Sequence, residues 1–276
     1  MKDLEHLRVL TISGEDAGEL LQGQMTQDIR KLEDDKIHIT SFCNVQGRVI
    51  ASAFIQGRND QYDLILSSEI IDDLENHLKR YVLRSKVVIE QSIEKTFGSY
   101  KSDVNEDSKE YGSLKNDPER VLILSTQAPK SIDNFISTEE WIRCDIENKI
   151  AIIDKESSEK FIPQMLNLDI LDAVSFSKGC YTGQEVVARV QHRGKVKKRM
   201  YKVNIKETDS VTSNSQIMDQ KKSVGNIVLS KKIASDCICL AVINQVDSTS
   251  ELTVNEKIIE LLYLSIDLLN PAPLAL

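Results

Sequence analysis

The sequence predicts an α+β fold followed by a small all-β domain, and two observations support this prediction. The N-terminal part interleaves strand-like runs with an amphipathic helix at 69–83, in which apolar residues recur at helical spacing. Beyond Gly194 the apolar runs are short, strand-like and joined by polar turns, which is typical of a β-barrel. We therefore predict an α+β module at 1–198, made of two interleaved subdomains, and a β-barrel domain at 199–276.

Local patterns place the individual elements. The run SGED at 13–16 offers a helix N-cap, and apolar residues follow it at helical spacing until about Gln24. Ser137 begins a capping-box pattern that predicts a helix through Ile146. Residues 101–118 are polar and nearly free of aliphatic side chains, which predicts an exposed loop. Strands are predicted at 37–42, 48–55, 62–66, 86–90 and 121–124, and in the barrel at 198–205, 224–230, 235–243 and 257–264.

The composition narrows the class of function. The chain has 276 residues, a net charge of −8 and a pI of about 5.2, which argues against a globally basic nucleic-acid binder. Its N-terminus lacks the apolar run of a secretory signal, and no stretch reaches the roughly 18 apolar residues of a membrane span. The cysteines are odd in number and have no disulfide spacing, so they predict free thiols in a reducing cytoplasm.

One segment, KGCYTGQE at 178–185, concentrates reactive residue types. Cys180 precedes a predicted helix N-terminus and Lys178 is close to it in sequence. Both features favour a thiolate, so Cys180 is a candidate reactive thiol and Lys178 a candidate catalytic residue beside it. The competing interpretation is a buried, inert cysteine. The run from Thr182 to Glu185 also matches a capping box, in which case Glu185 only caps the helix.

Other kinds of site are less well supported by the sequence. The lysine of the segment precedes its glycines, which is not the order of a phosphate-binding loop. His192 lies beyond the far end of the predicted helix, which disfavours a Cys–His nucleophile pair. Cys237 and Cys239 share one face of a strand, but no second pair stands at metal-ligand spacing. We therefore predict that both thiols belong to the core and that the chain has no metal site.

A basic run follows the segment in this otherwise acidic protein. One interpretation is a solvated helix end that the helix dipole favours. The other is a docking surface for an anion, whether a carboxylate tail, a phosphate or RNA. The run comprises Arg189, Arg193, Lys195, Lys197, Lys198, Arg199 and Lys202.

The segment at 178–185 resembles the K-G-C-Y-x-G-Q-E signature of YgfZ-type folate-binding proteins, and we call it the signature. Two further blocks occur in the order that this family shows. The FIPQ block, FIPQMLNL at 161–168, is similar to the segment that precedes the signature. The N-terminal block, DAGELLQGQMTQD at 16–28, resembles the family pattern D-A-x-x-x-L-Q-G-Q-x-T-x-D. The resemblance extends from residue 14 to about 200, and the barrel is also expected in this family.

This family is related to the T-protein of glycine cleavage, an aminomethyltransferase that uses tetrahydrofolate. The resemblance implies three subdomains in a cloverleaf ring around a central folate channel, including a ferredoxin-like α+β sandwich and a C-terminal β-barrel. It implies tetrahydrofolate, or a one-carbon-substituted folate, as the cofactor. The implied partners are iron–sulfur proteins such as radical-type tRNA methylthiolation enzymes. The expected folate contacts are Asn44, Tyr181, Gln184, Glu185 and Arg189.

The chain departs from T-proteins at one informative position. T-proteins carry N-x-x-G-G-I-x-D-D, whereas the matching run here is NVQGRVIAS at 44–52, with Ala51 and Ser52 in place of the acidic pair. General acid–base work from that pair is therefore absent. The leading hypothesis is a tetrahydrofolate-binding accessory protein for iron–sulfur proteins. The alternatives are a folate-dependent one-carbon transferase and a tRNA-binding module that uses Arg193, Lys195, Lys197, Lys198 and Arg199.

Overall fold

The computed structural model describes residues 3–58, 61–104, 111–130, 132–193, 196–208, 211–244 and 251–261. The helices in these ranges are α1 (Ala17–Gln24), α2 (Ile71–Lys79), α3 (Thr138–Glu147) and α4 (Gln184–Arg193), with 3₁₀ turns at Ile29–Lys31, Lys101–Asp103 and Pro163–Leu166. The strands are β1 (Leu7–Ser13), β2 (Lys36–Cys43), β3 (Val49–Arg58), β4 (Gln61–Ser67), β5 (Val88–Gln91), β6 (Lys95–Tyr100), β7 (Tyr111–Leu114), β8 (Asp117–Ser125), β9 (Lys198–Ile205), β10 (Gln216–Asp219), β11 (Lys222–Ile233), β12 (Asp236–Asn244), β13 (Leu252–Val254) and β14 (Lys257–Leu261).

Strands β1 to β8 form one mixed sheet in the order β5-β1-β4-β3-β2-β7-β8-β6. The neighbouring strands are antiparallel except β2 and β7, which run parallel in register Lys36↔Ser113 and Ile37↔Leu114. Helices α1 and α2 cover the part of the sheet formed by β1, β3 and β4. Leu21 and Leu74 from these helices belong to one buried apolar core with Phe42, because each helix has one apolar face.

A second core joins the sheet to the barrel. Trp141 of α3 and Val187 of α4 are fully buried in it, together with Met200 of β9 and Leu240 of β12. Helix α3 begins as the sequence predicts, since the Ser137 hydroxyl accepts a hydrogen bond from the backbone N–H of Glu140. This shared core fixes α4 between the two parts of the molecule.

The C-terminal strands close into a six-stranded barrel in the order β10-β11-β12-β9-β14-β13. The predicted barrel is confirmed, and its first strand begins at Lys198, where the sequence changes character. The division into modules at 1–198 and 199–276 stays a prediction. The barrel core is formed by aliphatic side chains and by two thiols, which were predicted to be core residues: Val203, Ile205, Ile217, Ile227, Cys237, Cys239, Leu252 and Val254.

Two sequence predictions need correction. The predicted helix at 69–83 is shorter, because α2 ends at Lys79. The predicted loop at 101–118 is wrong in its second half, where β7 and the start of β8 lie. Leu114 of β7 is only 1% exposed, and the strand forms because it pairs with both β8 and β2, so tertiary pairing outweighs polar composition. Among the described residues, no helix has the length and apolar character that crossing a membrane requires.

Candidate functional site

The signature forms an irregular segment that leads into α4, and its residues differ in exposure. Lys178 and Tyr181 are buried, whereas Gly179, Cys180 and Glu185 are exposed. The signature is therefore divided into side chains that face the protein and side chains that face solvent.

The fold brings the signature against the N-terminal block, more than 150 residues away in sequence. The backbone N–H of Thr182 donates to the carbonyl of Gly23 at 3.1 Å. The Thr182 hydroxyl donates to the Gln24 side-chain oxygen at 3.0 Å. Gln24 is itself buried at the end of α1. These bonds join the signature and the N-terminal block into one site.

The same contact shows that the capping-box interpretation of Thr182 is wrong. A capping threonine must direct its hydroxyl to the first turn of its own helix, but this hydroxyl donates to Gln24. Helix α4 begins at Gln184, one residue later than a cap at Thr182 requires. Glu185 is therefore free of the reciprocal bond that a capping box would demand.

Lys178 is the buried anchor of the signature. Its ammonium donates to the carbonyl oxygens of Met25 at 2.7 Å and Gln27 at 2.9 Å. Burial lowers the pKa of Lys178 to about 8, although nearby Asp28 opposes this change. The ammonium therefore holds the signature to the segment after α1, and its described bonds give it a positioning role.

Tyr181 lies beneath Lys178 and is also buried. The Lys178 nitrogen is 5.1 Å from the centre of the Tyr181 ring, within the range of a cation–π interaction. The Tyr181 hydroxyl is buried without a hydrogen-bond partner among the described residues. Burial, followed by the neighbouring Cys43 thiol, raises the pKa of Tyr181. The tyrosine is thus uncharged at neutral pH.

Asn44 orders a turn that packs against the start of α4. Its side-chain oxygen accepts from the backbone N–H groups of Gln46 and Arg48, both at 3.0 Å, and its amide donates to Glu159 at 2.9 Å. Gly183 has a φ of +84°, and a Cβ there would lie 2.5 Å from the Asn44 carbonyl oxygen. Asn44, predicted as a folate contact, therefore has its side-chain oxygen engaged in the turn and its amide engaged with Glu159.

Cys180 is exposed, whereas the other four cysteines are buried. The interpretation of Cys180 as a buried core thiol is therefore wrong. Burial raises the pKa of the Cys43 thiol to about 12, so Cys43 is protonated at neutral pH. Cys180 is the signature thiol that solvent and small molecules can reach.

Helix α4 presents two charged side chains near Cys180 in sequence. Glu185 and Arg189 are both exposed, and residues four apart lie on the same helix face. Gln184 is half-buried at the first position of the helix. A carboxylate and a guanidinium on one face can bind the polar edge of a flat ligand and a negatively charged group.

Ala51 and Ser52 are fully buried in β3. The Ser52 hydroxyl donates to the carbonyl of Ala151 at 2.7 Å and accepts from the backbone N–H of Ile153 at 2.9 Å. Both hydrogen-bonding roles of this hydroxyl are occupied by the protein. Neither residue supplies the carboxylate that T-proteins carry at the matching positions.

The FIPQ block links α4 to the barrel. The Gln164 amide donates to the carbonyl of Val187 in α4 at 2.7 Å, and the Asn167 amide donates to the carbonyl of Met200 in β9 at 2.7 Å. Both side chains are buried. The block therefore fixes the helix that carries the exposed signature side chains relative to the barrel.

The predicted tRNA contact at Arg199 is wrong. Arg199 is 5% exposed and forms a paired bridge to Asp169 at 2.6 and 2.9 Å, and it also donates to the carbonyl of Gln164 at 2.8 Å. The sequence shows the positive charge but not the buried carboxylate thirty residues away. Sequence reasoning missed this bridge, and no local pattern marks it.

The other described members of the basic run differ in exposure, and Arg189 is exposed. Lys197 is exposed and Lys198 is half-buried. Lys202 is bonded to Glu147. The side chain of Arg193 and the residue Lys195 lie outside the described part. In the parts of the chain that are described, no cluster of three or more His, Cys, Asp or Glu side chains could hold a metal ion.

The fold and the signature site define a class of protein. The structure is similar to the glycine cleavage system aminomethyltransferase T from Bartonella henselae, with a TM-score of 0.67, coverage of 93% of this chain and 82% of that chain, and 10% sequence identity. The predicted fold, an α+β module with a C-terminal β-barrel of the T-protein type, is confirmed. At this identity the likeness concerns the fold alone.

The sequence relatives give the family. The chain is 31% identical over 228 residues to the tRNA-modifying protein YgfZ of Yersinia enterocolitica, covering 72% of this chain and 68% of that protein. It is 30% identical over 223 residues to the YgfZ protein of Hamiltonella defensa, covering 70% and 66%. The chain belongs to the YgfZ family, as the signature predicts. No protein-family model matches the sequence.

Proposed function

We propose that this chain is a tetrahydrofolate-binding accessory protein that supports iron–sulfur proteins, among them enzymes that methylthiolate tRNA. The observation that carries the proposal is the division of the signature. Lys178 and Tyr181 anchor it inside the protein, so that Cys180, Glu185 and Arg189 are held at the surface. The printed name of the relatives, tRNA-modifying protein, supports the link to tRNA modification.

A reduced folate has chemistry that suits these exposed groups. Its pterin presents N–H donors that a carboxylate such as Glu185 would accept, and its glutamate tail carries negative charge that Arg189 would attract. Folate sites combine mostly apolar walls with a few placed polar groups. The backbone around Gln184 would contribute at the helix N-terminus, where free N–H groups favour anions.

Cys180 is the group through which the site would act on a client. This role would not use the acid–base pair that T-proteins carry. We therefore infer that the chain has no aminomethyltransferase activity. The buried, fully engaged hydroxyl of Ser52 argues against that alternative function.

A tRNA-binding role receives less support. It relies on a basic surface, yet Arg199 is internal and Lys202 is paired with Glu147. The net charge of −8 opposes non-specific binding to a polyanion. Contact with tRNA, if the basic run made it, would fall to Arg189, Lys197 and Lys198 among the described residues.

Calorimetry with tetrahydrofolate tests the binding part of the proposal. The wild-type protein is expected to bind, and Glu185→Gln and Arg189→Met are each expected to weaken binding about tenfold to a hundredfold, the loss of one charge-assisted hydrogen bond. Lys197→Met, which removes an exposed charge between α4 and β9, is the matched control. No heat of binding at millimolar folate would overturn the proposal.

A complementation assay tests the link to clients. Cells that lack the protein should recover methylthiolated tRNA when they receive the wild-type gene, and should not recover it with Cys180→Ser. Gly179→Ala is the control, because a Cβ at Gly179 meets no atom within 4 Å. If Cys180→Ser restored methylthiolated tRNA as well as the wild-type gene does, the thiol would not be needed for the function.

A further inference from the structure

The barrel contains two thiols in contact, far from the signature in sequence. Cys237 and Cys239 both point into the barrel core from β12, and their sulfur atoms are 3.8 Å apart. Residues two apart on a strand face the same side, so the pair is a direct result of the C-x-C spacing. Nothing in the proposed folate function uses these thiols.

We propose that Cys237 and Cys239 form a peroxide-sensitive dithiol, a site of reversible disulfide formation inside the barrel. Hydroperoxides are the class of oxidant that fits, because hydrogen peroxide is small enough to reach a core thiol during brief opening of the barrel end. Cys237 is next to that end, since Ile233 pairs with Asp236 across a two-residue turn.

The two thiols have different roles. Cys237 accepts a hydrogen bond from the Cys239 thiol, and backbone N–H groups of Val211 and Lys231 also point at its sulfur. These bonds lower the pKa of Cys237, against the effect of burial, and the bond to Cys237 and burial raise the pKa of Cys239. Cys237 is therefore the nucleophile and Cys239 the resolving thiol.

The chemistry balances in two steps. The Cys237 thiolate attacks hydrogen peroxide, which forms an S–O bond, breaks the O–O bond and releases hydroxide, leaving Cys237 as a sulfenic acid. The Cys239 sulfur then attacks the Cys237 sulfur, forming the disulfide and expelling the oxygen as water. The thiol proton of Cys239 leaves with the sulfenic acid oxygen as one water molecule. The proton first lost by Cys237 combines with the hydroxide from the first step to give the other. The dithiol loses two electrons and the peroxide gains them.

Geometry predicts a disulfide that is easily reduced. Residues two apart on a strand have Cα atoms roughly 6.4–6.8 Å apart, at the long end of the range of about 4.4–6.8 Å for disulfides. A strained disulfide has a more oxidising potential.

Peptide mapping of the intact protein after peroxide treatment tests the proposal. Trypsin releases both thiols on one peptide, residues 233–257, with no other cysteine. We expect this peptide to become about 2 Da lighter, to resist alkylation and to recover with dithiothreitol. The buried single thiol of Cys43 is the internal control and should oxidise at least about tenfold more slowly.

Two variants assign the roles. In Cys239→Ala, Cys237 should stop at the sulfenic acid and form a dimedone adduct, and in Cys237→Ala, Cys239 should stay reduced. The wild-type mapping does not depend on whether these variants fold. The proposal is overturned if both thiols stay reduced in wild-type protein when Cys180 is already oxidised. It is also overturned if the disulfide forms only in urea concentrations that unfold the barrel.

Discussion

The buried ammonium of Lys178 gives a prediction about pH that the structure makes quantitative. Lys178 is 6% exposed and its pKa falls from an ordinary value of 10.5 to about 8 on burial. Below pH 8 the lysine is charged in both the folded and the unfolded chain, so its full desolvation cost is present. Between pH 8 and 10.5 the folded protein releases the proton first, and the unfolded chain binds more protons. Stability should therefore rise with pH in this window.

The size of the effect follows from these two pKa values. Linkage gives a gain of about 2.5 kcal/mol in the free energy of unfolding between pH 7 and pH 10 from this one group. Other lysines and tyrosines also titrate there, so the wild-type curve alone is not diagnostic. Lys178→Met removes the titration and leaves the others in place. Loss of the bonds to Met25 and Gln27 also changes the free energy of unfolding of Lys178→Met, by an amount that does not depend on pH.

Urea unfolding at pH 7, 8, 9 and 10 measures the difference. The protein has one tryptophan, Trp141, which is fully buried in the core shared with α4, so its fluorescence reports loss of that core. The free energy of unfolding of wild type minus that of Lys178→Met should increase by about 2.5 kcal/mol over this range. Lys197→Met, at an exposed lysine, should run parallel to wild type. A wild-type curve parallel to that of Lys178→Met would refute the reasoning.

Two further predictions concern the signature. Gly183→Ala should destabilise the protein by about 2 kcal/mol or more, because it combines a φ of +84° with a Cβ placed 2.5 Å from the Asn44 carbonyl. Gly179→Ala should stay within about 0.5 kcal/mol, and urea unfolding that gives equal losses for the two would contradict the packing argument. Cys180 should react with iodoacetamide faster than Cys43, whose pKa is raised to about 12 by burial. Mass-spectrometric mapping of partial alkylation at pH 7.5 would disprove this if Cys43 reacted first.

The elements that the sequence predicts well are those whose local pattern decides the structure. The barrel strands and the capped start of α3 depend on alternation, turns and a serine cap, all of which are visible in sequence. β7 could not be predicted, since this short segment becomes a strand by pairing with β8 on one side and β2 on the other. The salt bridge of Arg199 could not be predicted for a similar reason, because only the fold brings its partner Asp169 close to it.

The site shows the same limit at the level of single residues. The signature marks eight positions as important but does not say which side chains face the protein. The structure assigns Lys178 and Thr182 to bonds with the N-terminal block, and leaves Cys180 exposed. A motif shared within a family can therefore contain residues that hold the fold together as well as residues that carry out chemistry.

This division makes the two kinds of signature residue separable by experiment. Replacing an anchoring residue such as Lys178 should alter stability and folate affinity together, because the segment that positions Glu185 loses its hold on the residues after α1. Replacing Cys180 removes an exposed side chain, so stability and folate affinity should stay close to those of wild type while support of a client is lost. If Cys180→Ser instead weakened folate binding as much as Glu185→Gln does, the thiol would belong to the ligand pocket. The proposed separation between binding folate and acting on a client would then fail.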